Sequence, residues 1–344
     1  MSDKNLNNLT NFSSAEKLPV RFYPTNNCNY QCRTPYSTIF CDHQYNHNKA
    51  NFKDLIQIFK LFKSENLTEI AKISGREPTL YPELINLVKG LSKVAGKITL
   101  STNGYENHEK IYNVIKNGVS LITISVPTLN HKRYGFFTGL PKEKAKKSLK
   151  NVLNLIENLS NYDVELHFIR ILLKDFNDSI EDMNRFIDFS KKYDATMKIF
   201  DLNYHPMLNF PIGNQTINIS SETIWKNLYV PTDQWREKFL ADSINKIDFL
   251  NSFSCRKVTL MSLKNGIKVL MDDFLEEKKK RFDHCRNCKY LSYCREGPFS
   301  NGWELRPNLL LQICPLRDDL TLDLRNPKKI QKLKFKGGKL KVER

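Results

Sequence analysis

The sequence has no apolar run approaching the roughly 20 residues that a membrane-spanning helix needs. Residues 1–16 are polar and rich in asparagine, and they contain no apolar centre of the kind found in secretory signals. Low-complexity linkers and internal repeats are also missing. These absences predict a protein with no membrane partner, working in the cytoplasm.

Acidic residues are scarce relative to basic ones, with 37 Asp and Glu against 54 Lys and Arg, so the net charge is +17. Such a surplus favours anionic partners, such as a nucleotide, a nucleic acid, or an acidic peptide or carrier. Much of the surplus lies in residues 326–344, where a solvated basic tail is the simpler interpretation. Charge alone therefore does not predict nucleic-acid binding.

The cysteines do not have the spacing of a disulfide scaffold. Three lie between residues 28 and 41, and the other five lie between residues 255 and 314. Clustered thiolates are soft ligands that suit zinc or an iron–sulfur cluster. Three thiolates cannot fill the four positions of a closed cluster, so one position of the first group would stay open to a ligand.

Short β-rich runs alternate regularly with apolar residues at helical spacing. The predicted strands cover residues 19–23, 70–74, 97–101, 121–126, 164–172 and 196–202. The predicted helices cover residues 52–64, 81–91, 108–117, 142–158 and 180–192. About six such units predict an α/β fold with parallel strands, a partial (β/α)6 TIM-type barrel whose ligands lie at the carboxyl ends of the strands.

Composition and cysteine spacing divide the chain into four parts. We expect a flexible N-terminus at residues 1–17, the barrel at 18–215, a small cysteine-rich domain at 216–325, and a basic tail at 326–344. Residues 201–215, rich in asparagine and proline, predict the connection that leaves the barrel.

Small and polar residues follow three predicted strands. Gly75 and Glu77 lie in the stretch Ser-Gly-Arg-Glu-Pro after the second strand, Thr102 and Asn103 follow the third, and Ser125 ends the fourth. Glycine permits turns and close approaches that other residues do not. Hydroxyl and amide side chains at strand ends suit a ribose and an amino-acid carboxylate.

Taken in order, these motifs resemble the radical S-adenosylmethionine (SAM) superfamily. Cys28, Cys32 and the pair Phe40-Cys41 match its signature C-x3-C-x-aromatic-C, with about six residues inserted and Pro35 at the usual third-cysteine position. The resemblance implies a [4Fe–4S] cluster on these three cysteines, SAM as cosubstrate, a 5′-deoxyadenosyl radical, and an electron donor such as flavodoxin or ferredoxin. It implies SAM-binding roles for Phe40, Gly75, Glu77, Thr102, Asn103, Ser125 and Asn203.

Residues 18–205 further resemble one branch, the GTP 3′,8-cyclases of molybdenum-cofactor biosynthesis. The resemblance implies substrate contacts at Arg21, Lys72 and His167, and an anionic substrate. His167 could instead be a satisfied core residue. Lysine does not replace arginine neutrally at a bidentate phosphate site, so we expect a relative that acts on a substrate other than GTP.

The second cysteine group reads Cys285-x2-Cys288-x5-Cys294-x19-Cys314, with Cys255 upstream as a further candidate ligand. It resembles the auxiliary-cluster (SPASM or twitch) domains that follow radical SAM barrels, which implies an auxiliary [4Fe–4S] cluster. Structural zinc is the alternative. Two other functions stay open: a SPASM enzyme that matures a peptide, and a degenerate zinc-stabilised nucleic-acid-binding protein.

Replacing Cys28, Cys32 or Cys41 singly with alanine should abolish reductive cleavage of SAM, because a SAM-binding cluster needs all three thiolates. Iron content and 5′-deoxyadenosine formation measure the loss. Cys41→Ala is the sharpest variant, since its spacing is irregular. Normal iron content and SAM cleavage in Cys41→Ala would show that the third ligand lies elsewhere.

Overall fold

The computed structural model of the protein describes residues 17–32, 49–204, 220–250, 256–274, 283–295, 302–325, 333–336 and 339–342. Phe40, Cys41 and Cys255 lie outside these ranges, as does most of the predicted connection 201–215. No helix in the described ranges is long and apolar enough to cross a membrane.

Six parallel strands form the centre of the fold, and each pairs with the next along the chain. They are β1 (Val20–Phe22), β2 (Ile70–Ile73), β3 (Lys97–Thr102), β4 (Val119–Ser125), β5 (Glu165–Ile171) and β6 (Thr196–Phe200). Each lies within two residues of its predicted bounds, and the prediction of a partial TIM-type barrel is confirmed.

Helices connect successive strands of this barrel. They are α1 (Phe52–Ser64), α2 (Leu84–Leu91), α3 (His108–Lys116), α4 (His131–Thr138), α5 (Lys142–Leu159) and α6 (Ile180–Lys192). Helix α4 was not predicted. Local sequence fixes where several begin: Asn51 caps α1 by accepting from the Lys53 amide, and Ser179 caps α6 by accepting from the Asp182 amide.

The two faces of the strands differ in polarity. Alternate residues such as Val20, Ile73, Phe168 and Met197 are buried in the hydrophobic core that the helices cover. Side chains alternate along a strand, so the residues between them point to the opposite face, into the barrel lumen. The lumen is therefore the face on which polar and charged side chains of the barrel strands meet.

The strands after residue 216 extend this same sheet on both sides. They are β7 (Ser243–Leu250), β8 (Arg256–Leu263), β9 (Lys268–Phe274), β10 (Trp303–Leu305), β11 (Leu310–Cys314) and β12 (Arg317–Asp323). The order is β12-β11-β10-β1-β2-β3-β4-β5-β6-β9-β8-β7, with β10 parallel to β1 and β9 parallel to β6. A separate hairpin joins β13 (Leu333–Lys336) to β14 (Lys339–Val342).

These additions make the cysteine-rich region continuous with the barrel by backbone hydrogen bonds. Trp303 of β10 is buried and packs against Phe62 of α1, with ring centroids 5.0 Å apart. Helices α7 (Ser221–Leu228), α8 (Asp233–Ala241) and α9 (Asp283–Arg286) complete the described elements. The domain boundary at residue 215 stays a prediction.

Candidate active site

The loop after β1 carries the first two cysteines of the predicted cluster. Cys28 and Cys32 are both half-buried, so their thiols lie near the surface of the barrel's carboxyl end. Phe40 and Cys41 lie in residues 33–48, outside the described part of the chain. The third thiolate and the aromatic residue before it therefore stay predictions.

Two hydrogen bonds tie this loop to the neighbouring strand ends. The backbone amide of Glu77 donates to the carbonyl of Asn27 at 3.1 Å. The side-chain amide of Asn103 donates to Oδ1 of Asn29 at 2.7 Å. The cysteine loop is therefore held against the ends of β2 and β3.

The loop is also docked on the α4–α5 turn, a role that the sequence did not reveal. The amide of Gln31 donates to the carbonyl of Thr138 at 3.0 Å, and the hydroxyls of Tyr30 and Ser148 lie 2.5 Å apart in the core. A Cβ on Gly139, whose φ is +69°, would lie 1.8 Å from the carbonyl oxygen of Gln31. Only glycine allows that approach.

The turn after β2 has the geometry that its glycine predicts. Gly75 has a φ of +111°, and a Cβ there would lie 3.0 Å from the ring of Tyr23. Glu77 then caps a short 3-10 helix, Pro78–Leu80, by accepting from the amide of Thr79. Arg76, which replaces the second glycine of the family motif, is half-buried.

The Glu77 carboxylate is fully buried and accepts four hydrogen bonds from groups of the same chain. Its Oε1 accepts from the amide of Thr79 at 3.1 Å, from the Thr79 hydroxyl at 2.7 Å and from the Thr102 hydroxyl at 2.7 Å. Its Oε2 accepts from the amide of Asn103 at 2.8 Å. Oε1 therefore accepts three of these bonds and Oε2 accepts one, so both oxygens are engaged within the chain.

Burial raises the pKa of the Glu77 carboxyl, while the hydrogen bonds from Asn103, Thr79 and Thr102 act in the opposite direction. The same contacts join the turn after β2 to the end of β3. This arrangement favours a positioning role for Glu77, with Asn103 carrying the connection on to the cysteine loop.

The other residues predicted to bind SAM lie at the carboxyl ends of β3, β4 and β6. Thr102 and Asn103 are buried, and Oδ1 of Asn103 accepts from the amide of Tyr105 at 2.9 Å. Ser125 is exposed at the end of β4, whereas Asn203 is buried just beyond β6. The sheet order brings these strand ends to one edge of the barrel.

Three cations from three strands lie on the lumen face. Arg21 of β1 lies opposite Lys72 of β2 in the strand register. The ammonium of Lys198, on β6, lies 3.5 Å from the hydroxyl of Thr123. Burial, then the nearby Arg21, lowers the pKa of Lys72 to about 7 and that of Lys198 to about 8. Lys198 was missed from the sequence, although its place on the inward face of a predicted strand was a usable signal.

His167 also faces the lumen, but it is not a cation. Its Nε2 lies 2.5 Å from Oε1 of Glu165, whose Oε2 accepts from Nζ of Lys97 at 3.0 Å. Burial, followed by the charge of Lys198, lowers the pKa of His167 to about 4, against the opposing effect of Glu165. The basic contact expected at this position is therefore a neutral imidazole near pH 7.

One buried carboxylate shares the lumen with these cations. Glu304 of β10 lies opposite Arg21 in the strand register and is only 3% exposed. Its Oε1 accepts from the hydroxyl of Tyr23 at 2.7 Å. Burial and neighbouring cations lower the pKa values of Lys72 and Lys198 on the same face.

The second cysteine group comes together around Cys314, at the end of β11. Burial raises the pKa of the Cys314 thiol well above its ordinary value, and the nearby Cys294, Cys285 and Cys288 raise it further. In the described ranges, no three Cys, His, Asp or Glu side chains are arranged closely enough to hold a metal ion. Cys255 lies outside those ranges, so metal binding by this group stays a prediction.

The segment that carries these cysteines, residues 283–295, packs against the chain that follows β6. The rings of Tyr204 and Tyr293 stack with centroids 4.6 Å apart. Nε of Arg295 lies 2.9 Å from Oδ2 of Asp201, which is almost fully buried. The second cysteine group therefore lies close to the carboxyl end of the sixth barrel strand.

Residues 22–187 match the family described as the Radical SAM superfamily, so the chain carries a radical SAM domain. GTP 3′,8-cyclase of Campylobacter jejuni is 27% identical over 185 residues, which cover 53% of this chain and 55% of that relative. GTP 3′,8-cyclase of Haemophilus ducreyi is 25% identical over 244 residues, covering 69% of this chain and 66% of the relative. The chain thus spans little more than half the length of the Campylobacter relative.

Among solved structures, Streptococcus suis SuiB bound to S-adenosylmethionine aligns with a TM-score of 0.50 at 18% identity. The alignment covers 69% of this chain and 48% of SuiB. At this identity the likeness shows the shared radical SAM fold. The predicted radical SAM family and partial barrel are therefore confirmed, while the small cysteine-rich domain stays a prediction and the substrate is not identified by these relatives.

A [4Fe–4S] cluster and SAM, which the family implies, fit the chemistry of the described donors. The thiols of Cys28 and Cys32 are soft ligands of the kind that hold iron–sulfur clusters. Both are half-buried, and backbone hydrogen bonds hold the loop that carries them. Beside them, the φ of +111° at Gly75 lets the turn after β2 follow a path that other residues rarely adopt.

Glu77→Gln should destabilise the fold by about 2 kcal/mol. Oε1 accepts from the backbone amide of Thr79, and Oε2 accepts from that of Asn103. Whichever way the glutamine amide is turned, its NH2 group therefore faces a backbone N–H, and one donor loses its acceptor. Denaturant unfolding measures the change, with the exposed Glu109→Gln as the matched control. Equal stabilities of the two variants would show that the buried network contributes little.

Proposed function

We propose that this chain is a radical SAM enzyme whose substrate is an anion bound in the barrel lumen. Bound at Cys28, Cys32 and Cys41, the cluster and SAM would supply one-electron cleavage of SAM and a radical that removes a substrate hydrogen. The residues of the chain would orient both ligands and exclude water. Electrons would come from a small donor such as flavodoxin or ferredoxin.

The observation that carries the proposal is a pair of half-buried lysines on the lumen face whose pKa values are lowered. Burial disfavours the charged form of an ammonium, and neighbouring cations disfavour it further. Lys72 and Lys198 meet both conditions, with Arg21 close to each. An anion between them would favour their charged forms, so the lumen suits a phosphate or carboxylate group better than a neutral ligand.

The SAM-binding side of the proposal uses the carboxyl ends of the strands. Ser125 is exposed there and can donate to a ribose or a carboxylate. Gly75 would let the SAM amino group approach the backbone of the turn, and Thr102, Asn103 and Asn203 would complete the wall. Glu77 would act mainly by holding Thr102 and the backbone of Asn103 in place.

GTP is not the substrate that these residues favour. His167 adds no positive charge to the lumen, and a lysine cannot make the bidentate contact that an arginine makes with phosphate. The likeness covers 55% of the Campylobacter jejuni GTP 3′,8-cyclase and 66% of the Haemophilus ducreyi one. We therefore propose an anionic substrate smaller than, or different from, a nucleoside triphosphate.

The second cysteine group would hold an auxiliary [4Fe–4S] cluster near the substrate, with structural zinc as the alternative. The packing of residues 283–295 against the end of β6 supports a site near the carboxyl edge of the barrel. Cys285, Cys288, Cys294 and Cys314 are the proposed ligands, and Cys255 is a further candidate.

The proposed function is tested by anaerobic reconstitution with iron and sulfide, followed by incubation with SAM and a reductant. We expect brown protein that forms 5′-deoxyadenosine, and no 3′,8-cyclo-GTP when GTP is added. Colourless, zinc-containing protein without SAM cleavage would contradict the enzyme and support the degenerate binding protein. Efficient formation of 3′,8-cyclo-GTP would instead contradict the substrate assignment alone.

A further inference from the structure

One polar atom on the lumen face is left without a partner. His167 is 7% exposed, and its Nδ1 is buried with no hydrogen-bond partner among the described residues. A buried polar atom without a hydrogen-bond partner loses the free energy of its hydration and gains nothing in return. Such atoms are rare in native proteins, and each one calls for an explanation. Its other ring nitrogen, by contrast, lies 2.5 Å from Glu165.

The Glu165 contact determines which ring nitrogen carries the proton. Burial alone would raise the pKa of Glu165, but hydrogen bonds from Lys97 and His167 hold it below its ordinary value. An ionised carboxylate only accepts, so Nε2 of His167 must donate to it. In a neutral imidazole the second nitrogen is then an acceptor, which leaves the lone pair of Nδ1 available to a ligand.

Among the described residues, no group donates a hydrogen bond to that lone pair. Thr123 and Thr196 are its direct register neighbours on β4 and β6. The ammonium of Lys198 lies 3.5 Å from the Thr123 hydroxyl. An acceptor thus stands next to the cations of the lumen, at the place where an anionic ligand would lie.

We propose that Nδ1 of His167 accepts a hydrogen bond from the substrate, so that the lumen selects an anion that also carries an O–H or N–H donor. The inference rests on the proposed function, because it assumes that the anion occupies the lumen. His167 then acts as a specificity-determining residue. It would reject an anion of the same charge and shape that has no hydrogen to donate.

Phosphate and sulfate distinguish a requirement for negative charge from a requirement for a hydrogen-bond donor. Both are tetrahedral, and at about pH 8 both carry about two negative charges, but only phosphate retains an O–H. We expect the protein to bind inorganic phosphate roughly tenfold more tightly than sulfate. Sulfate would leave Nδ1 unpaired at a cost of about 1.4 kcal/mol, which corresponds to that factor. Isothermal titration or competition with a labelled anion measures the ratio.

Two variants distinguish the inference from the proposed function. His167→Leu should reduce the ratio of phosphate affinity to sulfate affinity to about one, because it replaces the acceptor with an apolar side chain of similar size. Lys72→Met should weaken both anions and leave their ratio unchanged. Equal binding of the two anions by the unaltered protein would overturn the inference alone. If neither anion binds, the anion site fails and the inference fails with it.

A second measurement does not depend on folding of a variant. In nitrogen NMR spectra of the unaltered protein with labelled histidine, His167 should show a protonated Nε2 and an unprotonated Nδ1 near neutral pH. Addition of phosphate should shift the Nδ1 resonance, whereas sulfate should shift it less. A protonated Nδ1, or equal shifts with both anions, would contradict the assignment.

Discussion

The candidate site depends on the buried carboxylate of Glu77. Its four hydrogen bonds join the turn after β2 to the end of β3, through Thr79, Thr102 and the backbone of Asn103. Asn103 in turn binds Asn29, and the Glu77 amide binds Asn27, both in the loop that carries Cys28 and Cys32. A buried charge is tolerated only when it is well bonded, so this network also resists rearrangement.

A second constraint lies one layer deeper, in the lumen. Arg21, Lys72 and Lys198 lie on the lumen face, where burial and nearby cations oppose the charges of the two lysines. Glu304 lies opposite Arg21, and Glu165 is engaged by Lys97 and His167. Shifted pKa values of this kind are typical of sites organised for binding.

Local sequence patterns predicted the barrel well. Alternating β-rich runs and helical spacings located all six barrel strands within two residues, and the glycine of the turn after β2 indicated its unusual backbone. The strands after residue 216 could not be predicted in the same way. Two of their pairings, β10 with β1 and β9 with β6, join strands that are distant in the chain, and no local pattern encodes such a register.

The roles of individual site residues were harder to predict, since they depend on contacts across the fold. The role of Glu77 in binding SAM stays a prediction, and because its partner Thr102 lies 25 residues away, the sequence could not show that its oxygens also accept hydrogen bonds within the chain. His167 was expected to be a basic contact. Its neutrality follows from burial and from Lys198, which lies on a different strand.

The central claim is that Lys72 and Lys198 hold an anion in the lumen, and sulfate binding across pH tests it most directly. Sulfate does not titrate in this range, whereas the two lysines attract it only in their charged forms. Because their pKa values are about 7 and about 8, sulfate affinity should fall as the pH rises through this interval. Lys72→Met should weaken binding and remove much of that dependence, unlike the exposed Lys150→Met. Affinity that stays constant through this interval, or an unchanged profile in Lys72→Met, would contradict the account.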